Sequence, residues 1–128
     1  MKYVILIHSN PQPWGHPTSD FLAEQQARSA EERQQANASF EQMLTELSES
    51  GELVGAEALA APSQARLYRW DGGQRVATDG PYSETKEHLA GFFLIDVASQ
   101  ERAEQICESF NGPGETVELR PGWTGGAA

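Results

Sequence analysis

Lys2-Tyr3-Val4-Ile5-Leu6-Ile7-His8 is apolar at every interior position, so both of the faces that alternate along a strand are greasy, and its β-branched residues favour extended backbone. A strand of this kind is buried on two sides and belongs in the middle of a sheet. Gly91 to Val97, with Phe92, Phe93, Leu94 and Ile95 in succession, has the same character. Between them the chain turns polar and helix-prone from Ser19, and Ala36, Phe40, Met43, Leu44 and Leu47 recur at spacings of three and four, on one side of a helix that Gly51 should end. Leu53 to Leu59 carries a weaker strand alternation. Ala65 to Trp70 and Gln74 to Thr78 flank Asp71-Gly72-Gly73, whose glycines accept positive φ cheaply, so the three segments spell a hairpin. Ser99 to Phe110 is a second helix, with Ala103, Ile106, Cys107 and Phe110 on one face, and Thr116 to Arg120 a last strand closed by Pro121.

With the hairpin set aside, the order is strand, helix, strand, strand, helix, strand. This is the ferredoxin-like α+β plan, βαββαβ, carrying an inserted β-hairpin. Two helices cover only one face of such a sheet, whereas two of its strands are apolar on both, so the expectation is a homodimer with two sheets packed face to face, a dimeric α+β barrel. Residues 1–121 form the single expected domain and 122–128 a flexible tail rich in Gly and Ala.

The chain has 128 residues, with 9 Lys and Arg against 19 Asp and Glu, for a formal charge of −10. Such a surface repels phosphate backbones and anionic lipid, so neither nucleic acid nor a membrane is expected as partner. The single cysteine, Cys107, cannot form an internal disulfide, and no apolar run has the length of a signal-peptide core or a membrane span, which points to a reducing, cytoplasmic setting. The three histidines, His8, His16 and His88, are dispersed, so no tightly held metal and no cofactor are expected. Ser9 to Thr18 contains Pro11, Pro13, Gly15 and Pro17 around Trp14 and His16, an irregular loop long enough to have a purpose.

Asp79-Gly80-Pro81-Tyr82-Ser83-Glu84-Thr85-Lys86-Glu87, followed by Leu89-Ala90-Gly91-Phe92-Phe93, resembles the signature of the YCII-related family in the branch called DGPF proteins, with Tyr82 where Phe is usual. The opening Met1 to Ile7, the run Gly51 to Leu59 and the ending Val117 to Pro121 are similar to the same family. The resemblance implies a dimeric α+β barrel, a substrate not yet defined, and a frequent genomic association with extracytoplasmic-function sigma factors. It also implies a His–Asp pair in the barrel cleft as the proposed catalytic machinery. In DGPF-like sequences the histidine often lies three residues before the helix Phe that matches Phe40; here that position is Asn37, which leaves Asp79 as the matched acid without its usual partner.

Asp79 precedes Gly-Pro, where a carboxylate commonly braces a turn, or alternatively presents itself at the mouth of the barrel as a general acid or base. His8 ends the first strand, pointing either into the cleft or onto a loop, and a neutral imidazole there could act as the base that Asn37 cannot be. Tyr82 can pack or donate its hydroxyl to a ligand, and the resemblance tips Glu84 and Lys86 toward positioning a ligand around the cleft. Ser83-Glu84-Thr85-Lys86 matches Ser-x-x-Lys, but the companion motifs of penicillin-recognising enzymes are absent. The functional expectation is an enzyme handling an unidentified small molecule by acid/base chemistry without metal, with Asp79 and His8 as catalytic residues. The alternative is a non-catalytic ligand-binding or regulatory module that reports to a sigma factor.

Overall fold

The computed structural model describes residues 1–82 and 85–126. Strand β1 (Lys2–Ser9) leads through the proline loop, a 3-10 turn at Thr18–Phe21 and the four-residue helix α1 (Ala23–Gln26) into the long helix α2 (Ala30–Ser50). Strand β2 (Leu53–Ala58), the hairpin of β3 (Arg66–Asp71) and β4 (Gln74–Asp79), strand β5 (His88–Asp96), helix α3 (Gln100–Phe110) and strand β6 (Thr116–Pro121) follow. The main sheet runs β2-β5-β1-β6, antiparallel throughout, which is the ferredoxin-like arrangement; β3 and β4 form a separate two-stranded ribbon. The two strands that are apolar on both faces, β1 and β5, hold the two central places.

The helical segment does not begin at Ser19. Leu22, 5% exposed, is extended at φ −106° and ψ 136°, and α2 starts at a capping box: the Ser29 hydroxyl accepts from the Glu32 amide (3.1 Å), and the Ser29 amide donates to the Glu32 carboxylate (3.3 Å). Gly51, at φ +81°, supplies the left-handed residue that ends α2. In the ribbon tip Gly72 and Gly73 both have positive φ, +59° and +84°, as a two-residue hairpin turn requires.

Tyr3, Ile5 and Ile95 face the helices and pack with Leu47, Ala103, Ile106 and Phe110 to make the core. Arg102 at the start of α3 donates from Nε and Nη2 to the two oxygens of Glu52, each at 2.9 Å, fastening α3 to the turn between α2 and β2 and holding the Glu52 carboxyl below the usual carboxylate range. Strand alternation sends Val4, Leu6, Phe92 and Leu94 to the face away from the helices. There Val4 lies opposite Leu94 and Leu6 opposite Phe92, all four half-buried, with Glu57, Glu118 and Arg120 flanking them by register. No helix among the described residues is long and apolar enough to cross a membrane.

Candidate functional site

A cavity of about 820 Å³ lies between the first half of α2 and the sheet, within the size range of small-molecule pockets. Its floor is Ile7, Phe93 and Gly91; a side chain at position 91 would bring its Cβ to 2.9 Å from the Glu57 carbonyl, so the close approach of β2 demands glycine. Its roof is the outer end of the apolar stripe of α2, Ala36 and Phe40. The rings of Phe40, Phe93 and Phe110 stack edge-on or tilted at centroid distances of 4.4–6.3 Å, so one aromatic cluster forms both an edge of the core and a wall of the cavity.

The proline loop closes one end. Trp14 Nε1 and His16 Nε2 both donate to the Leu59 carbonyl just beyond β2, at 2.9 and 2.8 Å, which leaves Nδ1 as the basic atom of a neutral His16. Gly15 lets the loop pass over Phe21, whose ring a Cβ would strike. Further along, the Thr18 hydroxyl donates to the Glu115 carboxylate, Gln25 Nε2 donates to the Pro113 carbonyl (3.1 Å), and Asn37 Nδ2 donates to Asp20 Oδ1 (3.4 Å). The loop is therefore tied to β2, to the α3–β6 connection and to α2, and it brings His16, Thr18 and Asp20 into the cavity wall beside Arg28, Arg33 and Asn37. Asn37, the helix position where the family resemblance expects histidine, faces this cavity with Asp20 as its partner.

The residues singled out from the sequence lie elsewhere. His8 projects onto the open sheet face, where its Nε2 meets Glu118 Oε1 at 2.9 Å. Asp79, at the end of β4, has a side chain 81% exposed and pairs with Arg66 at 2.8 Å, directly across the ribbon. Gly80 closes that ribbon: its amide donates to the Ala65 carbonyl at 2.7 Å, and a Cβ there would strike the Ala65 methyl at 2.6 Å. Tyr82 is 78% exposed, with the Arg69 guanidinium 5.6 Å from its ring centre. Lys86 is exposed, and Glu84 lies outside the described residues. None of His8, Asp79, Tyr82 and Lys86 lines the cavity. An exposed pair of this kind is worth at most about 1 kcal/mol, so Asp79→Asn should shift a chemical-denaturation curve by no more than that and leave occupancy of the cavity unchanged. A larger loss of stability would make the carboxylate a strut of the fold.

Sequence reasoning passed over Asp20, Arg28 and Arg33. A usable signal was present on α2: Arg33 and Asn37 continue the spacing of Phe40, Leu44 and Leu47, so the apolar stripe acquires a polar end on the same side of the helix. Among the described residues no group of three or more His, Cys, Asp or Glu side chains is placed to hold a metal ion.

A ferredoxin-like sheet with a ligand-sized cavity under its longer helix, polar at one end and aromatic at the other, defines a class of small α+β pocket proteins. Within it, this chain belongs to the YCII-related family, whose domain matches residues 1–111. It is also similar to an uncharacterized protein of Rhizobium meliloti, 34% identical over 76 residues. That alignment covers 57% of this chain and 61% of the relative, so the chain spans about three fifths of the relative's length.

Proposed function

We propose that the protein binds a small molecule in the cavity between α2 and the sheet, as a homodimer joined through the open sheet faces. The observation that carries the reading is the cavity itself: about 820 Å³, with aromatic walls, a few polar groups gathered at one end, and a loop tied over that end by hydrogen bonds to three separate elements. Binding is favoured over proton transfer at position 37 because the Asn37 amide cannot exchange a proton as the histidine that the family resemblance expects there would.

Ala36 offers the test. It is exposed on α2 and lines the cavity, so Ala36→Trp should fill the space without disturbing the core. Ligands found with the wild-type protein by a thermal-shift screen should fail to raise the melting temperature of the variant, whose own melting stays within a few degrees. Undiminished stabilisation of the variant would place the ligand elsewhere.

A second reading, acid/base catalysis in the cleft between two paired sheets, has one observation in its favour. His8 is held by Glu118 on the open face, the arrangement in which a carboxylate orients an imidazole base.

A further inference from the structure

We propose that the cavity selects an organic acid: an amphipathic molecule whose carboxylate meets Arg33 and whose hydrocarbon body lies against Phe40, Phe93 and Phe110. The inference rests on the cavity reading above and names the chemistry of its ligand. It starts from the seven arginines of the chain. Arg102 pairs with Glu52 and Arg66 with Asp79; Arg28 and Arg120 lie within 3.9 and 3.7 Å of Glu32 and Glu118; Arg69 and Arg75 sit over the rings of Tyr82 and Trp70. Among the described residues Arg33 alone has neither a carboxylate nor an aromatic ring as partner, in a chain with 19 acidic residues to choose from. It is half-buried, it lines the cavity, and its Nε is shielded from solvent without an acceptor. A half-buried cation left alone is costly, and an arriving carboxylate removes that cost through charge-assisted hydrogen bonds to the guanidinium.

The neighbours suit the same ligand. Arg28 and Asn37 also line this end of the cavity; Arg28 donates to the Gln25 side chain at 3.1 Å and is partly offset by Glu32 at 3.9 Å, so Arg33 carries the main positive charge there. Three acidic residues line the cavity too. Glu41 is exposed to water, where its field is screened, while Asp20 and Glu115 already accept hydrogen bonds from Asn37 and Thr18; Glu57 borders the cavity through its backbone, its side chain lying on the open sheet face by register. The aromatic cluster at the other end supplies apolar surface for a short hydrocarbon chain or ring.

The test uses three probes that share one body, 3-phenylpropanoate, 3-phenylpropanamide and 3-phenylpropylamine, titrated into the full chain and followed by amide NMR shifts. The acid should bind about tenfold more tightly than the amide, with shifts at Ala36, Asn37 and Gly91, and the amine should bind weakest. Arg33→Gln should weaken the acid much more than the amide and so close the gap between them, while Arg33→Lys, which keeps the charge, should retain part of the preference. Should acid and amide bind the cavity equally, the anion proposal is overturned and the cavity reading stands. Tighter binding of the amine would overturn it in favour of the acidic residues. If none of the probes moves the cavity amides, both readings fall together.

Discussion

Phe110→Ala should lower the unfolding free energy by about 3 kcal/mol or more, within the usual cost of deleting a buried Phe ring. The ring ends α3 at 8% exposure and touches both Phe40 from α2 and Phe93 from β5, with centroids at 5.4 and 4.4 Å, so it is where the two long helices and the central sheet meet. Truncation loses the transfer free energy of the ring together with two aromatic contacts. Because Phe110 also lines the cavity, the vacated space joins a volume that water already reaches, which holds the loss toward the low end of the range. The measurement is a urea titration in which the midpoint falls while the slope stays constant. A loss below about 1 kcal/mol would mean that the aromatic cluster is not part of the cooperative core. The same variant should also bind ligands more weakly, because one wall of the cavity is gone.

The largest change in assembly should come from Leu6→Lys combined with Phe92→Lys. These residues face one another across the two central strands on the open face, with Glu118 opposite Leu6 on one side and Glu57 opposite Phe92 on the other. In a lone protomer each new ammonium is solvated and has a carboxylate at hand, so the fold survives. In a dimer with sheets packed face to face, four ammonium groups would be taken out of water between apolar surfaces, and pairing with Glu57 and Glu118 repays only part of a desolvation cost of several kcal/mol per charge. Light scattering should therefore show twice the 14.0 kDa chain mass for the natural sequence and the single mass for the double variant. A monomeric natural protein at micromolar concentration would remove the dimer from the functional account.

The sheet was legible because its decisive information is local. A strand that is apolar at consecutive positions belongs at the centre of a sheet, and β1 and β5 stand there, read without reference to any other part of the chain. The Gly72-Gly73 turn was legible for the same reason, since positive φ at two successive residues is a property of the residues themselves. The cavity was not, because Asp20, Arg33 and Asn37 meet only when the proline loop folds back to the carbonyl of Leu59. The break in helix at Leu22 was hidden in the same way: the extended backbone there accompanies burial of a single leucine, which helix propensity does not record. The signature segment drew attention through its turn chemistry, and part of that chemistry is spent on closing the ribbon, where Gly80 fits against Ala65 and Asp79 meets Arg66.

The ribbon of β3 and β4 forms a sheet of its own, apart from the four-stranded one. Its opening therefore breaks neither the ladder nor the aromatic cluster, and a two-stranded ribbon alone in water is only marginally stable. The molecule thus has two tiers of cooperativity: a core that unfolds as one piece, and an appendage that can fray and re-form beneath that threshold. For protein engineering, the tip at Gly72 and Gly73 becomes a natural port for grafted peptides or permuted termini, since strain introduced there is absorbed by a foldon on which the cavity does not depend.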